Sequence, residues 1–353
     1  MQVHDTADKV VRQALRLGAS DLHLSAGLSP MARVDGVLSR MDADAPAWSD
    51  AQVRQFMEQL MAPPRWTAFQ TQHEDDFAFA HPEWGRWRVN AFEQQRGAAL
   101  VMRCIPTTVP SLTELHAPAL LSRLALRGQG LILVTGPTGC GKSTLLAALL
   151  DHINRSLQGH LLTIEDPIEF VHTPPQCAIN QREVGLHSLS FEAALRSALR
   201  EDPDVILIGE LRDLATIRLA LTAAETGHLV LASLHTASAP QAIDRMVDVF
   251  PSDEKDMVRT LLADALLAVV TQTLCPRQNQ AGRVAAHEIM VATPAVRNLI
   301  REGKTAQLYS ALQTGAQMGM QTLDQSLHAL QQSGQISAET ARSLARFPAS
   351  VSP

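Results

Sequence analysis

Residues 131–144 read LILVTGPTGCGKST, and the reading of this stretch decides the fold. Leu131 to Val134 form a short, wholly apolar run, the pattern of a buried strand. Gly136-Pro137-Thr138-Gly139-Cys140-Gly141-Lys142-Ser143 completes G-x-x-x-x-G-K-[ST], with Thr144 directly after it. Leu145, Leu146, Leu149, Leu150, Ile153 and Leu157 then recur at helical spacing. Strand, glycine loop and helix stand in the order that phosphate binding needs. The glycines let backbone N–H groups turn inward, and the helix N-terminus adds partial positive charge. Lys142 is placed to reach β- and γ-phosphates and Ser143 to ligate Mg²⁺, so the cofactors expected are ATP and Mg²⁺.

The chain around this loop has 353 residues, room for two domains. It is 46% hydrophobic and 19% charged, an ordinary globular composition. A net charge of -6 argues against a nucleic-acid-binding surface, which shows as a basic excess. Asp5 and Asp8 near the N-terminus, with no apolar core, argue against a secretory leader. The most apolar long stretch, Leu261 to Leu274, is broken by Asp264, Thr271 and Gln272 and does not read as a membrane span. Cys104, Cys140, Cys177 and Cys275 are scattered, which fits a reducing cytoplasm and no cysteine zinc site.

Upstream, residues 1–107 read as a small α+β domain. A helix near Asp5 to Leu17 stops at Gly18, strand character follows at Asp21 to Leu24 and Met31 to Arg40, and Asp35-Gly36 signals a hairpin. Ser49 and Gln52 form a capping box for a helix with Val53, Phe56, Met57 and Leu60 inward. Asp76 to Ile105 then gives three strands in a meander. Proline-rich residues 108–118 read as a linker. Downstream, 119–353 alternates strands (Leu131 to Val134, Leu161 to Ile164, Val205 to Ile208, Leu229 to Ala232) with helices, an α/β nucleotide-binding core. From Pro251 the chain reads as mainly helical to Leu344, with stops near Gly303, Gly315 and Gly334. The tail Phe347 to Pro353 is expected to fray.

Chemistry-bearing residues fall at the strand ends. Glu165-Asp166-Pro167-Ile168-Glu169 follows the second core strand, where a carboxylate can orient or deprotonate water. The third strand ends in Gly209-Glu210, so Glu210 takes the acid's work with Mg²⁺ or water, with Gly209 where an Asp is usual. His228 and His235 bracket the fourth strand and are read as sensing a γ-phosphate at its end. His287-Glu288 lacks the second His of H-E-x-x-H and reads as structural. Arg86 and Arg88 share a strand face and Arg103 lies on the next strand, a set suited to neutralising transition-state charge across a subunit boundary. Cys140, beside Lys142 at a helix N-terminus, has two readings: a favoured thiolate whose alkylation blocks ATP hydrolysis, or an inert thiol facing the helix side.

Taken jointly, SDLHLSAG, MARVDG, RWRVNAF, GPTGCGKST, LLTIEDPIEFVH, ALREDPDVILIGELRDLATIRLALTAAETGHL, LHTASAPQAIDRMVDVFP and AAHEIMVATPAVRNLIRE cover nearly the whole chain. They resemble the secretion ATPase superfamily and, within it, the PilT-type type IV pilus retraction ATPases. The resemblance implies a PAS-like N-terminal domain, a RecA-like P-loop ATPase core and a C-terminal helical part, 285–353, carrying AVRNLIRE (Ala295 to Glu302). It implies Glu169 as general base, Glu210 in Walker B, His228 and His235 in the His box, and Arg88 and Arg103 approaching nucleotide. It also implies a homohexamer at the cytoplasmic face of the inner membrane, working with a platform protein and the pilus base. No membrane insertion and no nucleic-acid partner are implied. An N-terminal extension and a tetracysteine motif, usual in extension ATPases, are missing from the sequence, which favours retraction. The rivals are a nucleic-acid or DNA-uptake motor, revealed by stimulation with single-stranded DNA, and a nucleotide-switched scaffold, revealed by a flat phosphate-release assay.

Overall fold

The computed structural model describes residues 3–34, 36–105, 108–173, 175–279 and 282–348. The chain divides into two compact units, residues 1–108 and 109–353.

The first unit holds α1 (Val3–Arg16), α2 (Asp50–Leu60), α3 (Pro63–Gln72) and six strands: β1 (Asp21–Ser25), β2 (Met31–Val34), β3 (Val37–Arg40), β4 (Glu74–His81), β5 (Gly85–Gln94) and β6 (Gly97–Ile105). Together they make one antiparallel sheet in the order β3-β2-β1-β6-β5-β4. The expected meander is β4-β5-β6; pairing of β1 with β6 joins it to the β1–β3 strands. Val34 pairs with Val37 across a two-residue turn where Gly36 has φ +86°; Asp35 lies outside the described residues. Period-two alternation on β5 sends Trp87, Val89 and Ala91 inward and leaves Arg86, Arg88 and Asn90 outward. The inward set packs with Phe56, Met57, Leu22 and Met102. Both capping-box bonds of Ser49 and Gln52 are made at the start of α2.

The second unit is built on β7 (Gly130–Thr135), β8 (His160–Glu165), β9 (Ala178–Glu183), β10 (Val205–Ile208), β11 (Leu229–Leu234), β12 (Leu266–Pro276) and β13 (Arg283–Val291). Its helices are α4 (Ala119–Ala125), α5 (Lys142–Ser156), α6 (Phe191–Ala198), α7 (Leu214–Glu225), α8 (Ala239–Asp248), α9 (Lys255–Ala265), α10 (Pro294–Arg301), α11 (Leu308–Thr314), α12 (Leu323–Gln332) and α13 (Ala338–Leu344). The sheet order is β13-β12-β7-β11-β10-β8-β9, parallel except for β13. Alternation along β7 feeds two cores. Leu131 and Leu133 join the one with α7, α8 and α9, and Ile132 and Val134 join the one with α4 and α5. Leu112, inside the stretch read as a linker, is buried in that second core.

Two expectations are corrected. The chain is mainly helical only from Pro294 rather than from Pro251, and the C-terminal helical part begins there and not at 285. Residues 266–276 and 283–291 are long strands paired from Ala268–Val291 to Pro276–Arg283. A strand buried on both faces shows no period-two alternation, so the apolar run at Leu266 matched a buried helix equally well. The helix stops do fall near Gly303, Gly315 and Gly334, after α10, α11 and α12.

Candidate functional site

Because β7, β8, β10 and β11 run parallel and in step, their C-terminal ends open on one edge of the sheet. Ile208 lies level with Ile164 and Ala232, and Thr135 with Leu234. Loops leaving that edge carry the candidate chemistry, the usual place for a ligand in an open α/β sheet.

The phosphate loop leaves β7 against the neighbouring strand. A Cβ at Gly136 would lie 2.5 Å from the Gln272 carbonyl oxygen and 2.6 Å from Cys140 Sγ, and one at Gly141 would lie 2.7 Å from Gln272 Nε2. Gly141 also takes φ +88° as it starts α5. Only glycine fits both demands. Lys142 is buried, its Nζ donating to the carbonyls of Gly136 (2.8 Å) and Pro137 (2.9 Å). Burial pulls its pKa below the usual lysine range, while Glu210 and Glu169 act electrostatically in the opposite sense. Both carboxylates therefore lie within electrostatic reach of Lys142.

A polar chain ties the loop to the acid after β10. His235 Nδ1 lies 3.5 Å from both Lys142 Nζ and Thr138 Oγ1, and His235 Nε2 lies 3.4 Å from Glu210 Oε2. Arg212 Nη2 holds the same carboxylate at 2.9 Å, with Nη1 3.8 Å from Asp166. Gly209 has a steric reason: a Cβ there would come within 3.3 Å of the β8 backbone at Ile164 and Glu165.

Support for the acidic loop after β8 was not legible beforehand. Glu165 Oε1 accepts from Thr163 Oγ1 (2.7 Å) and Gln181 Nε2 (3.2 Å), and the same Gln181 amide donates to the Phe170 carbonyl (2.8 Å). Burial pushes Glu165 up to about 7. Gln181 arrives on β9 with no local motif; only the pairing of β8 with β9 delivers it. A cavity of about 370 Å³ opens beside Gly141 and Thr144, lined further by Gln272, Leu274, Arg277 and Arg283. Gln272, likewise, carries no local signal.

Other expected residues lie elsewhere. His228 precedes β11 at its N-terminal end, its Nδ1 3.0 Å from the Ala223 carbonyl oxygen. Six strand residues, about 20 Å, separate the two ends. As their bracketing of β11 requires, the two histidines stand at opposite ends of the strand, and His235 is the one beside the phosphate loop. Arg88 and Arg103 lie directly opposite one another on β5 and β6 of the first unit. Each meets a carboxylate, Arg88 Nη2 at 2.6 Å from Asp76 and Arg103 Nε at 2.9 Å from Asp21. Of the two readings of Cys140, its surroundings favour the inert thiol. It is 3% exposed, and burial raises its thiol pKa against the opposing pull of Lys142. His287 and Glu288 are buried, as a structural reading requires, and Glu288 accepts from the Ala239 N–H at 2.7 Å.

The type II/IV secretion system protein family model matches residues 2–342. The chain is 56% identical to the type IV pilus retractation ATPase PilT of Pseudomonas aeruginosa over 94% of this chain and 95% of that one. It is 52% identical to the twitching motility protein of Neisseria gonorrhoeae over 92% of this chain and 86% of that one. Among solved structures it resembles the pilus retraction motor PilT with bound ADP: TM-score 0.88, 41% identity, 97% of each chain covered. It also resembles the Legionella pneumophila ATPase DotB: TM-score 0.81, 28% identity, 96% of this chain and 94% of that one.

Proposed function

The chain belongs to the type II/IV secretion system protein family, and on that premise we propose that it is an ATP-hydrolysing motor for type IV pilus retraction. The observation that carries this reading is the chain Lys142–His235–Glu210, which couples the phosphate loop to a strand-end acid.

In this reading the loop from Gly136 to Thr144 cradles the phosphates with its backbone N–H groups, all but the proline at Pro137 having one, and the cavity beside Thr144 takes the base and ribose. Lys142 exchanges its two loop carbonyls for phosphate oxygens. Ser143 at the start of α5 and Glu210 near the lysine are a hydroxyl and carboxylate donor set that fits Mg²⁺, Glu210 directly or through water. When bound, the ion neutralises charge that develops on the phosphoryl oxygens. Glu169 takes the proton of the attacking water, and His235 senses the γ-phosphate through its contacts to Thr138 and Lys142. His228 belongs to the same proposed His box from the far end of β11. Arg88 and Arg103 act on the nucleotide of a neighbouring copy in a homohexamer. Rigid-body motion between protomers then drives pilin removal at an inner-membrane platform protein, at the cytoplasmic face of the pilus base. No helix among the described residues is long and apolar enough to cross a membrane.

The test is Mg-ATP turnover by the purified full chain. Glu210→Ala is expected to fold and to lose turnover, and normal turnover in that variant would overturn the assignment. Restored twitching in a Pseudomonas aeruginosa strain lacking its own PilT is the expected cellular result.

A further inference from the structure

Two polar side chains of the β12–β13 pair, both at the wall of the cavity beside Thr144, also meet the phosphate loop from the side of the sheet. Gln272 and His287 are 5% and 3% exposed. Gln272 Nε2 donates to the Cys140 carbonyl oxygen at 2.6 Å, and Gln272 Oε1 lies 3.1 Å from His287 Nε2. A carboxamide has one donating and one accepting end. The Cys140 carbonyl only accepts, so the NH₂ must face the loop and the oxygen must face the ring. A neutral imidazole carrying its proton on Nε2 donates to that oxygen and fixes the orientation; the reversed amide would set two oxygens against each other. Burial keeps the ring neutral by pulling its pKa down to about 4. The strand bearing the ring is itself pinned: the His287 N–H donates to Ser326 Oγ at 3.0 Å, and Gln321 Nε2 donates to the His287 carbonyl at 2.8 Å. Cys140 immediately precedes Gly141 and Lys142, where the chain turns into α5 and presents its amides.

We propose that Gln272 and His287 are positioning residues for the nucleotide: His287 orients the Gln272 carboxamide, and Gln272 holds the Cys140 carbonyl so that the amides of 141–143 stand ready for phosphate. This rests on the nucleotide-binding reading of the loop. A loop ordered in advance loses less freedom when the ligand arrives. The strand-end acids Glu169 and Glu210 are carried by other strands, so the effect falls on binding more than on the chemical step.

The experiment measures mant-ADP affinity, ATP KM and kcat on the full chain for wild type, His287→Leu, His287→Gln and Gln272→Met, with nucleotide-free melting as a folding check. His287→Leu and Gln272→Met are expected to weaken mant-ADP about tenfold and to raise KM by more than they lower kcat. Glutamine at 287 places an N–H donor where imidazole Nε2 stood, so His287→Gln recovers most of the loss. Wild-type affinity in His287→Leu and Gln272→Met, or no gain from His287→Gln over His287→Leu, overturns the proposal. If His287→Leu does not fold, Gln272→Met decides alone, since methionine matches glutamine in length without the amide. Wild type that fails to bind mant-ADP overturns the nucleotide reading instead.

Discussion

Single residues here take their chemistry from burial more than from type. Cys140 stands where a helix N-terminus and a lysine favour a thiolate, yet desolvation wins. Iodoacetamide at pH 7.5 is therefore expected to modify Cys140 far more slowly in the native protein than in urea, read by peptide mass spectrometry. Glu165 shows the same balance with an opposite consequence for stability. Burial holds it at about 7 against 4.5 for the free side chain. Across that window the folded chain keeps a proton that the unfolded chain has released. Its contribution to stability is full below pH 4.5 and is lost as pH rises through 7. Glu165→Gln cannot ionise, so it is expected to melt higher than wild type at pH 8, with the gap closing toward pH 5. An equal gap at both pH values would contradict the assignment.

Elements of the molecule are fixed at their ends by side chains whose partners are sometimes local and sometimes distant. The box closing α2 is local: Ser49 Oγ accepts from the Gln52 N–H, and Gln52 Oε1 accepts from the Ser49 N–H at 2.9 Å. Ser49→Ala is expected to cost about 1 kcal/mol in a urea titration. The C-terminus of α9 is capped from afar. Arg297, on α10, donates to the carbonyls of Ala263, Asp264 (2.6 Å), Leu266 (2.7 Å) and Ala292 (3.0 Å). AVRNLIRE thus carries an internal brace as well as its exposed residues. Arg297→Met leaves those carbonyls without their charged donor, and a loss of about 2 kcal/mol is expected from the urea midpoint.

At the scale of the whole molecule, two units with separate hydrophobic cores carry different halves of the proposed machine. The second unit gathers loop, lysine and acids on one sheet edge, and the first carries Arg88 and Arg103 side by side. If those arginines serve a neighbouring copy, Arg88→Ala with Arg103→Ala and Lys142→Ala fail in different places. Each preparation alone is expected to be inactive, and mixing them is expected to restore part of the turnover by pairing intact arginines with intact loops. Mixtures no more active than their components would place the arginines outside the reaction. Native mass spectrometry with Mg-ATP is expected to give six copies.

The sequence by itself determined the nucleotide-binding core, because a phosphate loop is a local device: its strand, glycines, lysine and helix are contiguous, and each obeys a short-range rule. It also placed Glu169, Glu210 and His235 at strand ends, since short apolar runs mark parallel strands. Only the tertiary structure decided what depends on which strands are neighbours. It turned 266–276 and 283–291 into strands, buried Cys140, and brought Gln181, Gln272 and His287 to loops far away in the chain. Burial and long-range hydrogen bonds depend on pairings that no local window of residues contains.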